Sequence, residues 1–142
     1  MDDDSSQLLR PSLTDTLFVI FLRVVAISCL WFGLEYWGML VGYSDEGFGR
    51  FDLLTSSWRA AATTLAVVFP VAALGLWIAS SWGPVIWSIA AGLQVVMYIL
   101  WSATFGTQKL IVISHAFTAA VYLAFRAAIW WQERRRPQAS KI

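Results

Sequence analysis

The sequence predicts an all-α, polytopic membrane protein folded as an antiparallel four-helix transmembrane bundle. Three observations carry that expectation. The 142-residue chain is 58% hydrophobic and only 13% charged, about half the charge of a soluble domain, which leaves too little polar surface to coat a water-exposed globule. Its apolar residues fall in four long runs almost free of charge, each close to the ~20 residues that cross a hydrocarbon core of about 30 Å. Nine tryptophans suit repeated crossings of the headgroup zone, where the indole ring is buried while its N–H stays wet.

An N-terminal tail covers residues 1–16 and is acidic at Asp2, Asp3 and Asp4. The first helix is expected over about 17–40. Neither a cleavable secretory signal nor a lipoprotein box at Ala26-Ile27-Ser28-Cys29 suits it, because the residues before it are acidic and the apolar run continues to Val41. A long connection from Tyr43 to Ser57 follows, carrying Asp45, Glu46, Arg50 and Asp52. The second helix is expected over 58–80, with Pro70 in mid-membrane removing one backbone hydrogen bond and producing a kink. Ser81-Trp82-Gly83 reads as a tight turn, with Pro84 suited to the first position of a third helix over 84–104. Phe105 to Lys109 is a second short turn, leading to a fourth helix over 110–131 and a basic tail over 132–142. Short turns force antiparallel neighbours. Strands are excluded because a barrel needs alternating polarity, whereas these runs are continuously apolar.

The placement of Lys and Arg orients the chain. Arg134, Arg135, Arg136 and Lys141 cluster at the C-terminus, and four crossings bring Arg10 and Arg23 to the same side. Arg50, Arg59 and Lys109 on the other side are offset by the loop acids. Both termini are therefore expected in the cytoplasm, and in a bacterial host the location is the inner membrane.

Ionisable groups within the spans are costly, at about 2.5–3.5 kcal/mol near the bilayer centre on insertion scales, so each requires an explanation. Arg23 and Arg126 lie about 7–9 Å inside the cytoplasmic face at 1.5 Å per residue, close enough to snorkel. Alternatively they form a basic pocket for an anionic lipid headgroup. Glu35 and His115 lie about as deep on the opposite side, on the first and last helices, which are neighbours in an up-down bundle. They form a candidate intramembrane pair, structural or proton-binding, with Arg59 as a competing partner for Glu35. His115, Ala119, Tyr122 and Arg126 share one helical face, as do Trp87, Gln94, Tyr98 and Trp101. Gln94, near mid-membrane, is expected to bridge helices by hydrogen bonding, or with Tyr98 and its aromatic neighbours to line a slot for an apolar ligand. Small residues recur every four positions at Ala116, Ala120, Ala124 and Ala128, at Gly38 and Gly42, and at Ser88 and Gly92. That spacing permits close helix approach, within the chain or to a partner.

No catalytic residue, metal site or cofactor site is expected. The chain has one cysteine and one histidine, no glycine-rich phosphate loop and no nucleophile placed beside a base. A net charge of +1 gives no reason to expect nucleic-acid binding.

The segments Trp58-Arg59-Ala60-Ala61-Ala62, Phe69-Pro70-Val71-Ala72-Ala73-Leu74-Gly75-Leu76-Trp77 and Trp82-Gly83-Pro84-Val85-Ile86-Trp87 resemble a family of short bacterial inner-membrane proteins of unknown function. The likeness extends through Phe105-Gly106 and His115. It implies a bacterial inner-membrane location and supplies no activity or site residue. Length and helical plan are also similar to the DoxX-like proteins, without a specific motif. Small multidrug exporters share the size and a first-helix Glu, but their carboxylate lies in mid-membrane whereas Glu35 lies near the outer end. The expected role is thus a non-enzymatic accessory or scaffold subunit that binds the bilayer and a second copy or another membrane protein. The alternative is a small transporter or carrier of a lipophilic or protonatable ligand using Glu35, His115 and Gln94.

Overall fold

Ser12 starts the first helix several residues ahead of the expected position. In the computed structural model, which describes residues 11–43 and 51–135, helix α1 spans Leu13–Val41. Ser12 accepts from the Asp15 backbone N–H at 3.2 Å, while the Asp15 carboxylate accepts from the Ser12 N–H at 3.3 Å and its hydroxyl at 2.7 Å. This reciprocal capping satisfies two donors that the first turn would otherwise leave unpaired. Gly42, at φ 74°, closes the other end in the left-handed conformation.

A 3₁₀ turn at Phe51–Leu53 leads into α2, Ser56–Trp77, capped by Thr55. Helix α3 spans Gly83–Ile99, a four-residue helical turn covers Ser102–Phe105, and α4 spans Lys109–Arg135. Every regular element among the described residues is helical. Helices α1, α2 and α4 are long and apolar enough to cross a membrane, whereas α3 has only 17 residues. The third apolar run is therefore not one continuous helix to residue 104. It breaks at Trp101, where φ is −112° and ψ is 34°. The loop charges Asp45, Glu46 and Arg50 lie outside the described residues, as do Arg10, Arg136 and Lys141.

The most extensive packing joins α1 to α2. Three contacts fix their register, with the chains running in opposite directions: Arg23 lies 5.5 Å from the Trp77 ring, Gly33 faces Pro70, and the Trp37 indole N–H donates to the Ala66 carbonyl at 2.9 Å. The last two have one cause. Pro70 has no N–H, so the carbonyl four residues earlier, Ala66, loses its helical donor. In lipid no water replaces it. Trp37 supplies the missing donor from the neighbouring helix. The absent side chain at Gly33 admits the proline ring, since a Cβ there would stand 2.8 Å from Pro70 Cγ. The two helices thus lock at the position where α2 is weakest.

Helix α2 turns into α3 through an equally close approach of Gly75 and Gly83. Helix α4 packs more loosely, touching α1 and α3. Phe18 contacts Tyr122 and Phe125, Phe21 contacts Phe125, and Gln132 donates to Thr14 at 2.8 Å. At the far end of α4, Arg134 and Arg135 lie over the rings of Trp130 and Trp131 at 3.9 and 4.2 Å. Cations on indole faces one helical turn apart suit a headgroup boundary.

Candidate functional site

All four helices send a polar or aromatic side chain to one buried point. Phe69 of α2 is fully buried at its centre. Phe32 and Tyr36 of α1 lie 5.3 and 6.2 Å from its ring, and His115 of α4 lies 6.4 Å away, nearly parallel. Trp87 of α3 meets His115 edge-on at 6.2 Å. His115 is the only buried residue of α4 among those described. The last helix engages the core through its imidazole, with partly buried Ile111, Val112, Ala119 and Tyr122 also packed against it.

Through this aromatic cage runs a line of hydrogen bonds. The Gln94 amide donates to the Tyr36 hydroxyl at 2.8 Å, and its carbonyl oxygen lies 2.6 Å from His115 Nε2. A carbonyl oxygen only accepts, so with the amide in this orientation a neutral imidazole carries its proton on Nε2 and keeps a lone pair on Nδ1. Beyond Tyr36 the next polar group is the Tyr98 hydroxyl. Gln94, at 1% exposure, satisfies two neighbours at once, as a buried amide must in the absence of water. One glutamine thus ties α1, α3 and α4 together.

Beside the imidazole, a cavity of about 470 Å³ opens between α1 and α4, with Phe32, Trp87, Ser28, Ser114 and Thr118 among its walls. Each of the three hydroxyls donates to a carbonyl of its own helix: Ser28 to Val24, Ser114 to Ile111 and Thr118 to Ser114, at 3.2, 2.7 and 2.8 Å. Exposed Ile27 and Trp31 flank the opening, which faces the side of the molecule.

The candidate residues separate into groups. Gln94, Tyr98 and His115 are buried and lie along one polar line, and Gln94 does bridge helices. Glu35 and His115 do not pair. Glu35 sits on the exposed face of α1 and accepts from the Trp31 indole one turn earlier at 3.0 Å. Arg59 does not reach Glu35 either: its guanidinium donates to the carbonyls of Phe51, Asp52 and Leu54 at 2.8–3.1 Å and fastens the 3₁₀ turn to α2. Tyr122 packs on Phe18 at 5.9 Å, away from the polar line. Arg23 and Arg126 are both exposed, and the Phe21–Phe125 contact sets them at a similar level of the molecule.

A family model of unknown function, DUF6163, matches residues 16–133. The chain belongs to the DUF6163 family. The match includes the proline- and tryptophan-bearing segments of α2 and α3 that carried the resemblance in the sequence. No curated protein and no solved structure gives a significant match. For the DUF6163 chain a likeness to the DoxX-like proteins is not shown.

Among the described residues of this DUF6163 member, no group of three or more His, Cys, Asp or Glu is placed to hold a metal. The polar line can orient the imidazole, fix its tautomer and present its second nitrogen to the cavity. Tyr36 was missed in the sequence, although the signal was present. Ala26, Cys29, Gly33 and Tyr36 are all buried and repeat at helical spacing, which marks the inward stripe of α1. The adjacent Glu35 drew attention through its charge but lies one residue off that stripe.

Proposed function

We propose that this DUF6163 protein is a non-enzymatic accessory subunit that crosses the bacterial inner membrane four times as an antiparallel bundle, with both termini in the cytoplasm. Helix α3, at 17 residues, extends about 25 Å, and the segment through Phe105 completes the crossing. The Arg-on-Trp pairs ending α4 support a headgroup position for that end, and the excess of Arg and Lys beyond them supports the cytoplasmic side.

The observation carrying the accessory role is the outer face of α4. Of its 27 residues only His115 is buried, and Ala116, Ala120 and Ala124 all face away from the rest of the chain. Helices associate in lipid through close backbone packing, which small residues at four-residue spacing permit. The exposed ridge is thus available to a second helix. Ser88 and Gly92 of α3 form another such face, and a Cβ on Gly92 would meet nothing within 4 Å. A proton-coupled carrier using Glu35 with His115 lacks comparable support, because each residue is bonded elsewhere.

Chemical cross-linking in native membranes tests the role. A stable complex with a second copy or another membrane protein is expected. Ala120→Ile should reduce its yield by about ten-fold or more, the effect of about 1.4 kcal/mol. The substitution is on an exposed face, so chain stability should stay within about 0.5 kcal/mol. Recovery of the monomer alone, or an unchanged yield from Ala120→Ile, contradicts the proposal.

A further inference from the structure

The cavity beside His115 has a chemical bias that the accessory role does not use. The protons of Ser28, Ser114 and Thr118 are committed to backbone carbonyls of their own helices, so each hydroxyl has only oxygen lone pairs left to offer. The imidazole is committed in the same sense. Gln94 donates to Tyr36 and accepts from His115 Nε2, which leaves Nδ1 as a bare acceptor. No buried side-chain nitrogen or oxygen among the described residues lacks a hydrogen-bond partner. His115 Nδ1, with no protein partner among those residues, must therefore lie on accessible surface, and His115 forms part of the cavity wall. The hydroxyl and imidazole groups around this space accept hydrogen bonds and donate none, whereas the Trp87 indole N–H, likewise without a protein partner among the described residues, and the Cys29 thiol are donors among the lining residues.

Shape and access narrow the occupant further. Phe32 and Trp87 supply flat apolar walls near the imidazole, with ring centroids 5.7 and 6.2 Å from it. A volume of about 470 Å³ falls within the range of small-molecule sites, roughly 300–1,000 Å³. The mouth at Ile27 and Trp31 lies within the apolar part of α1, so entry is from the lipid. Charged molecules are disfavoured there, because no charged side chain lines the space to offset their desolvation. A lipid acyl chain would fill the volume but leave every acceptor unused.

We propose that this cavity binds a flat, uncharged lipophilic molecule bearing an aromatic hydroxyl, of the phenol or quinol class, whose O–H donates to His115 Nδ1. The ring packs beside the imidazole against the apolar wall that includes Phe32 and Trp87, and Gln94 acts as a positioning residue by holding the imidazole in the accepting tautomer.

His115 is the only histidine in the chain, so ¹⁵N-histidine labelling of the full-length protein in lipid nanodiscs reports on this ring alone. Two probes separate the possibilities: 1-naphthol, and 1-methoxynaphthalene of similar shape without the donor. Saturable movement of the Nδ1 resonance is expected with 1-naphthol, with affinity about ten-fold above 1-methoxynaphthalene, the worth of one well-made hydrogen bond. Ser28→Leu and Thr118→Leu, introduced separately to fill the cavity from opposite walls, should each abolish the response. The Nε2–H signal to Gln94 should persist in at least one of them, showing an intact fold. Equal responses to the two probes would mean a plain lipid groove and would overturn the proposal, as would no response to 1-naphthol or a response that survives both filled variants.

Discussion

Replacing Gly83 by alanine is expected to destabilise the protein by about 3 kcal/mol or more, at the upper end of overpacking costs. The α2–α3 hairpin closes with backbone against backbone. A Cβ on Gly83 would stand 2.5 Å from the Gly75 carbonyl carbon and 2.7 Å from its oxygen. A Cβ on Gly75 would stand 2.7 Å from Gly83 Cα and 2.5 Å from the Trp82 ring. No side chain can rotate away to relieve the clash at Gly83, because the opposing atoms belong to the main chain. The helices would have to separate, loosening the packing that carries Trp87 and Gln94 into the core. Gly92→Ala in the same helix provides the control. Its Cβ meets nothing within 4 Å, so it should be neutral or stabilise by up to about 1 kcal/mol through helix propensity. Equilibrium unfolding in bicelles compares the two, and similar behaviour of both variants would refute the close approach.

The second large effect belongs to Gln94. Leucine at this position nearly preserves volume but removes both hydrogen bonds, leaving the Tyr36 hydroxyl and His115 Nε2–H without their partner inside an aromatic cage. Each such loss costs about 1–3 kcal/mol in a water-excluded site. Bonds between membrane helices are worth less, about 0.6 kcal/mol on average, so a total of about 1–3 kcal/mol is expected for the two together. Because the damage comes from stranded partners, Gln94→Leu should cost less where His115 is already Phe. A coupling of about 1 kcal/mol in that double-mutant cycle is the expected result. Strict additivity would mean that the imidazole does not depend on the glutamine. Loss of Gln94 should also detach α4 most readily, because that helix contributes no other buried residue among those described.

Much of the fold was legible because hydropathy over long windows is insensitive to local detail. The runs containing α1, α2 and α4 needed only length and the absence of charge. Their ends were less legible, being set by single hydrogen bonds. The capping pair Ser12 and Asp15 extends α1 upstream of its apolar run, a polar signal outside the hydrophobic count. The break at Trp101 carries no proline or glycine. Nothing in the apolar run marks it, since Leu100, Trp101, Ser102 and Ala103 are all compatible with a continuous helix.

Legibility of the site followed the same division. Gln94 stood out because a lone amide in an apolar run must be satisfied by another helix. His115 stood out for its rarity and depth. Their partnership did not, because pairing by opposite charge favoured Glu35, while the chain pairs by burial. Glu35 satisfies itself locally with Trp31, and the neutral amide takes the imidazole. The Trp37 bond to Ala66 was also hidden. Pro70 announces a freed carbonyl, but the donor that answers it depends on the register of α1 against α2, which no single-helix pattern specifies.

All of these depths and pairings rest on the proposal that the chain crosses the bilayer four times, with the 17-residue α3 as the shortest crossing. Paired compartment reporters fused to the N-terminus and to the C-terminus, expressed in a bacterium, measure this directly. Four crossings require both reporters on one side of the membrane, and the proposed orientation makes that side the cytoplasm. Reporters on opposite sides would mean an odd number of crossings, with α3 lying outside the membrane, and the arrangement of Tyr36, Gln94 and His115 within a lipid-surrounded core would be contradicted.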